Sequence, residues 1–366
     1  MRYTSYLLAI LGLLGAPLLG AYLADIPLNR MLVIPPMTTE VTIDKAPFSW
    51  VAFFVLLALI LLVMLPFIVR ILKAQKSFVP ISRKKHPFPW WGWLGLVILL
   101  LGWLMAWTRF PWFENLQTYT FTPPWLGFIL LVNALTYRRS GWSLITHKPA
   151  FLLALFVFSA LFWWYFEYLN LMVENWFYVN TGDLSKGQFF LYATLPFSTV
   201  LPAVISTRHL ISTFPRLTAG LDHFIPLKTS NQEALAWGVF LAGVIGLMAI
   251  NFQPDFLYPL LWLAPTAILA SSMALGGNTE LFDALPSGNW KYIFSLALAA
   301  LICGFFWELW NFNSFTQWHY SVPLVHRFQL FEMPILGYSG YLPFGLQCGL
   351  AAILTEKILA NLKKMS

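Results

Sequence analysis

From Trp50 to Val69 the chain reads WVAFFVLLALILLVMLPFIV, without one charged side chain. A run of this kind has one stable setting. A helix closes its backbone hydrogen bonds on itself, and ~20 apolar residues at ~1.5 Å each match a hydrocarbon core of ~30 Å. Comparable runs lie near 5–24, 49–72, 90–107, 123–137, 150–170, 189–206, 234–250, 256–274, 291–312 and 333–358, about ten spans in all. Of the 366 residues only 10% are charged and 59% are hydrophobic, whereas soluble domains carry about 25% charged residues. The sequence therefore specifies an all-α, polytopic integral membrane protein.

Charge placement orients it. With the first residues cytoplasmic, only Arg30, Lys45, Arg109, Lys186 and Arg327 fall on the outer side, and every other Lys and Arg falls inside. That asymmetry predicts a multi-pass protein of a bacterial cytoplasmic (inner) membrane with both termini cytoplasmic. The net charge of +7 is spread over loops rather than gathered on a soluble face, which excludes nucleic acid as a partner. Membrane lipids are the expected partners, and Arg83, Lys84 and Lys85 suit anionic headgroups. The first run, 5–24, also begins as a secretory signal does, but it is as long as a span and lacks a clean small-residue cleavage site, so it reads as a retained helix. Loop 25–48 carries Pro27, Pro35, Pro36 and Pro47 and no recognisable motif. Cys303 and Cys348 lie deep in spans and read as buried free thiols.

An internal repeat organises the remainder. FWWYFEYLNLMVENWFYV (162–179) and FFWELWNFNSFTQWHYSV (305–322) each carry Glu, then Asn three residues later, then Trp-x-Tyr. Glu167 and Asn170 correspond to Glu308 and Asn311; Trp176 and Tyr178 correspond to Trp318 and Tyr320. The predicted organisation is a two-helix extension with a basic linker (1–88), a first four-helix unit (89–215) and a second (216–366). An even number of spans per unit makes the repeats parallel. The last span of each unit is interrupted, by Pro196 and Pro202 in the first and by Pro334, Gly337, Gly340, Pro343 and Gly345 in the second. Broken helices of this kind either free backbone groups for a ligand or serve packing.

Candidate chemistry concentrates in the second unit. Glu308 and Asn311 share one helix face near the end of a span, and acids in such places are costly enough to need a function or a buried network. Glu332 stands just before Met333 and Pro334, either as a second carboxyl approaching Glu308 or as a helix N-terminal acid favoured by the dipole. The catalytic candidates are Glu308, Glu332 and Asn311. Glu167 and Asn170 are ligand-binding candidates, joined by His319, His326 and Arg327, which suit a metal or phosphate only if they converge. Trp307, Trp310, Trp318, Tyr320 and Tyr338 read as an interfacial aromatic belt, or as a stacking surface for a flat or cationic ligand. No Gly-rich phosphate loop, His-Glu-x-x-His or Gly-x-Ser-x-Gly occurs, no metal or cofactor is expected, and no histidine falls within an expected span, which argues against a bis-histidine haem.

The stretch FFWELWN…WHY…FEMPILGYSGYLPFG resembles a family of bacterial polytopic membrane proteins, a resemblance that carries no activity with it. A looser one is to the membrane lycopene cyclases, whose tandem units carry a Trp-acid pair, a Trp-x-Tyr and then a Pro-x-Glu-Glu. Here the matching residues are Trp307-Glu308, Trp318-x-Tyr320 and Glu332-Met333-Pro334, with the acid before the proline and single rather than paired. That resemblance implies carboxyl groups protonating a polyene and steadying the cation. The functional expectation is a cofactor-independent enzyme on an isoprenoid or lipid-like substrate; the alternatives are a carrier or flippase with its site between repeats, or a non-catalytic subunit of a membrane complex.

Overall fold

The computed structural model describes residues 3–79, 85–181 and 184–365. Arg2, Arg83 and Lys84, counted above among the inward charges, lie outside the described residues. The long helices are α1 (Thr4–Leu23), α2 (Trp50–Gln75), α3 (Trp90–Trp107), α4 (Thr122–Ser140), α5 (Pro149–Val173), α6 (Lys186–Ser212), α7 (Gln232–Ile250), α8 (Leu260–Leu275), α9 (Lys291–Asn311) and α10 (Ile335–Lys364). Among the described residues, eight of these are long and apolar enough to cross a membrane. The other two, α4 and α8, fall where the fourth and eighth spans are expected. With 16 residues α8 reaches only about 24 Å, and the last turn of α4 carries Arg138 and Arg139.

Local chemistry sets the helix ends. Ser49 opens α2 by accepting from the Ala52 N–H at 3.3 Å, Asn231 opens α7 by accepting from the Ala234 N–H at 3.0 Å, and Gly141 closes α4 in the left-handed conformation. Within the bundle α3 packs along α4 and α7 along α8, while α9 and α10 pack on each other and on α6. The α3–α4 approach needs Gly127, where a Cβ would collide with the backbone of Leu99. The two N-terminal helices go to different places: α1 lies on α7 and α8, and α2 touches the Pro215–Thr218 and Ile335–Gly340 turns. Most of α2 is exposed, including Val51, Phe54, Leu62 and Leu72, as suits a helix facing lipid.

The helices run alternately up and down. One end of the bundle gathers the turns after α1, α3, α5, α7 and α9, linked by Arg109 donating to Asn313 O and Asp255 accepting from the Ala46 N–H. The opposite end holds the start of α1, where Ser5 meets Gly276, and the Lys148–Glu356 and Lys291–Asp222 pairs.

Two small ladders interrupt the helical pattern at the first end. Strands β1 (Trp176–Val179) and β2 (Gln317–Tyr320) pair antiparallel, with Trp176 opposite Tyr320, Phe177 opposite His319 and Tyr178 opposite Trp318. Strands β3 (Gln329–Leu330) and β4 (Met333–Pro334) form a hairpin. The all-α expectation therefore holds for the bundle but not for the Trp-x-Tyr segments, whose period-two aromatic spacing is that of a strand.

Candidate functional site: two buried carboxyl groups beneath a strand pair

Glu308 lies one turn before the end of α9 and is fully buried. Its neighbour on the same face, Asn311, is fully buried too and clamps the following strand. The Asn311 amide donates to Trp318 O at 2.8 Å and accepts from the Trp318 N–H at 2.9 Å. The side-chain amide thus replaces a missing strand neighbour on the outer edge of β2. Tyr320 shares the strand face of Trp318, two residues on, and its hydroxyl donates to Glu308 Oε1 at 2.7 Å while accepting from Trp318 Nε1 at 2.9 Å. A second phenol, Tyr341 of α10, donates to the same oxygen at 2.8 Å. Its ring occupies the space a Cβ would fill at Gly304, one turn before Glu308. The other oxygen, Glu308 Oε2, is buried and without a partner among the described residues.

The first segment repeats the arrangement. Asn170 donates to Trp176 O at 2.7 Å, accepts from the Asn175 N–H at 2.9 Å, and donates to Thr38 Oγ1 at 3.1 Å. Glu167 Oε1 accepts from Tyr178 Oη at 2.5 Å and from the indole N–H groups of Trp176 and Trp163, both at 3.1 Å. Its Oε2 is likewise buried and, among the described residues, without a partner. Trp163 stands one turn before Glu167, the place Gly304 holds before Glu308. One segment fills the space with its own indole, and the other leaves it open to a phenol from α10. Between the two carboxyl groups lies an aromatic partition: Trp163 and Trp307 have ring centroids 6.4 Å apart, and Phe344 packs on both at 5.7 and 6.0 Å.

The remaining candidates distribute differently from expectation. Glu332 does not hydrogen-bond Glu308; its carboxylate meets His319 Nδ1 at 2.7 Å, with both side chains partly exposed. It lies within electrostatic reach of Glu308. Nor does it open a helix, because the β3–β4 turn intervenes and the helical turn begins only at Ile335. His326 accepts from the Val322 N–H at 3.3 Å and meets Gln329 Nε2 at 2.8 Å, an amide nitrogen that also reaches Glu332 O at 3.4 Å; burial lowers the His326 pKa below the ordinary histidine value against the pull of Glu332. The Arg327 guanidinium lies over Phe48 at 5.0 Å and Trp50 at 5.3 Å. Among the described residues no group of three His, Cys, Asp or Glu could hold a metal. His209, expected outside a span, falls within α6 and packs on Trp142 at 4.7 Å.

The aromatic belt also needs correction. Trp307 and Trp310 are core residues rather than interfacial ones, Trp310 packing edge-on against the fully buried Trp125 at 4.7 Å. Tyr338 is buried as well, donating to Leu330 O at 3.1 Å. Cys303 and Cys348 are buried free thiols, as expected.

Sequence reasoning passed over two features. The first is Ser159, fully buried on α5, which fills the interruption of α6 by donating to Phe197 O at 2.6 Å and accepting from the Leu201 N–H at 3.0 Å. The backbone groups freed near Pro196 are thus used within the fold, which favours the packing reading of that break. The second is a strap formed by loop 25–48. Glu174, in the left-handed conformation at the end of α5, accepts from Arg30 at 2.7 Å, from the Thr42 N–H at 2.6 Å and hydroxyl at 2.8 Å, and from the Ile43 N–H at 3.0 Å. Burial opposes its charge, but the Thr42 and Ile43 hydrogen bonds and the Arg30 charge together hold the carboxyl below its ordinary range. Beside it Lys45 donates to Val173 O, and burial lowers its pKa to about 8 against the pull of Glu174 and Asp255. The sequence signal for the strap is Glu174, an acid placed directly after α5.

No family model, curated protein or solved structure matches this chain.

Proposed function

We propose that the chain is an integral membrane enzyme that moves protons on an apolar, isoprenoid- or lipid-like substrate, with Glu308 as the acid. One observation carries the reading: two phenols hold Glu308 Oε1, whereas Oε2 is buried and without a partner among the described residues. A carboxyl group fixed at one oxygen and unengaged at the other is oriented for general acid–base work. In the proposed step Glu308 gives its proton to an alkene carbon, the π pair forming the new C–H bond. The resulting cation then loses a neighbouring proton back to the carboxylate, so no co-reactant is consumed. Trp307 and Tyr341 supply π faces for the cation. Asn311 is a positioning residue, and the Glu332–His319 pair, partly exposed and next in sequence to Tyr320, lets the regained Glu308 proton exchange with solvent between turnovers.

This reading includes the finer architecture of about ten spans: two parallel four-helix units after the N-terminal helices, in a bacterial cytoplasmic membrane with the strand end outside. The local twofold pairing of the two Trp-x-Tyr segments supports it, as does the gathering of most Lys and Arg at the opposite end. The resemblance to membrane lycopene cyclases agrees in the kind of chemistry. A rocking carrier is less favoured, because the β1–β2 ladder and the Thr316–Asn180 hydrogen bond at 2.9 Å tie the proposed halves together at one face. The test is solvent-isotope incorporation. Membranes carrying the wild-type chain, incubated in D₂O, should place carbon-bound deuterium in an isoprenoid or lipid product, and membranes carrying Glu308→Gln should not; equal incorporation in both would remove Glu308 from the reaction.

A further inference from the structure

A second, separate feature lies at the strand end, between the strap, the end of α5 and the turn after α7. There a cavity of about 180 Å³ is bounded by Met31, Ile43, Leu171 and Met172, with Arg30 and Asn251 as its polar groups. An apolar protein cavity of ~150 Å³ is large enough to take up benzene, so this one has room for a small organic group. Its walls are largely thioether and branched aliphatic, surfaces that adapt to varied apolar shapes. Asn251 is 7% exposed; its amide nitrogen donates to Pro17 O and Met172 Sδ, both at 3.3 Å, but its Oδ1 is buried and accepts from nothing described. Arg30 spends Nη2 on Glu174 and Thr42, leaving Nε and Nη1 without a described acceptor.

We propose that this cavity is a binding site for a neutral alcohol on an aliphatic or isoprenoid tail. The Asn251 carbonyl requires a donor, which excludes an ionised carboxylate or a phosphodiester against it, since those groups only accept. The Arg30–Glu174 pair leaves the site with little net charge, which removes the attraction for an anion. A hydroxyl meets both demands, donating to Asn251 Oδ1 and accepting from Arg30, while the tail lies along Met31, Leu171 and Met172. The site does not depend on the reaction assigned to Glu308.

The test uses the full chain in detergent micelles and a diazirine-bearing aliphatic alcohol as photolabel. Adducts are expected on the peptides carrying Met31 and Met172, suppressed by excess hexan-1-ol and not by hexane. Ile43→Trp, which fills the cavity, should abolish them, and Asn251→Leu should weaken competition by hexan-1-ol about tenfold, the value of one lost hydrogen bond. Glu308→Gln should label as the wild type does, so this proposal and the enzymatic one fail separately. Labelling spread evenly over exposed α2, competition by hexane equal to that by hexan-1-ol, or no adducts at all would each overturn the proposal. The wild-type competition alone decides the matter if either variant fails to fold.

Discussion

Replacing Asn311 by alanine removes both contacts that hold the outer edge of β2, the donation to Trp318 O and the acceptance from the Trp318 N–H. Register places Trp318 opposite Tyr178, and the Tyr178 N–H turns away from β2 to donate to Thr38 O at 2.9 Å. This pair therefore exchanges no hydrogen bonds across the ladder, and nothing else replaces the amide. Each orphaned backbone group costs about 1–3 kcal/mol, and Trp318 is only partly buried. The expected loss is about 2–4 kcal/mol, toward the lower half of the summed range. Denaturation of the detergent-solubilised protein, followed by near-ultraviolet circular dichroism, would measure it. Asn170→Ala should cost more, because Asn170 also donates to Thr38 in the strap. If Asn311→Ala were as stable as the wild type to within ~0.5 kcal/mol, the usual limit for an inconsequential surface change, the clamp would be refuted. Asn311 would then have to be explained by chemistry rather than by positioning.

Two other outcomes follow from the geometry. Gly304→Ala pushes a methyl into the ring of Tyr341, so it should destabilise by about 1–3 kcal/mol and break the Tyr341–Glu308 hydrogen bond, visible as a shift of the tyrosine C–O stretch in infrared spectra. The strap should respond to acid. The Glu174 pKa is depressed in the folded state, so its stabilising contribution is present above the ordinary value of 4.5 and is lost as pH falls through the lower folded value. Exchange of the Thr42 and Ile43 amide protons, corrected for intrinsic rates, should therefore rise below about pH 4.5, and Glu174→Gln should be loose at every pH; exchange that does not change with pH in the wild type would contradict the assignment.

The sequence made the paired Glu–Asn motifs legible because helical spacing puts i and i+3 on one face, and that relation is local. It also placed all the long helices, since apolar length is read directly. What it concealed depends on contacts distant in the chain. Nothing in Gly304 announces a ring from residue 341, and a lone Ser159 in an apolar helix looks unremarkable until the α6 break comes to rest on it. Trp307 and Trp310 have the composition of an interfacial belt, and only the packing of α4 against α9 makes them core. Glu332 had two readings, acid partner or helix cap, and the β3–β4 turn gave it a third by presenting it to His319. The Trp-x-Tyr segments carried their strand periodicity openly, but four residues beside long apolar helices are easily absorbed into those helices.

The central claim is that Glu308 acts through its proton, and it is tested most directly by comparing lipid extracts from cells making the wild type, Glu308→Gln or Glu167→Gln at matched protein levels. Glutamine keeps the shape and can still accept from Tyr320 and Tyr341, but it has no carboxyl proton to give. The account predicts a lipid or isoprenoid product present with the wild type, lost with Glu308→Gln and retained, at lower yield, with Glu167→Gln. Identical extracts from wild type and Glu308→Gln, with both proteins folded and equally abundant, would contradict it.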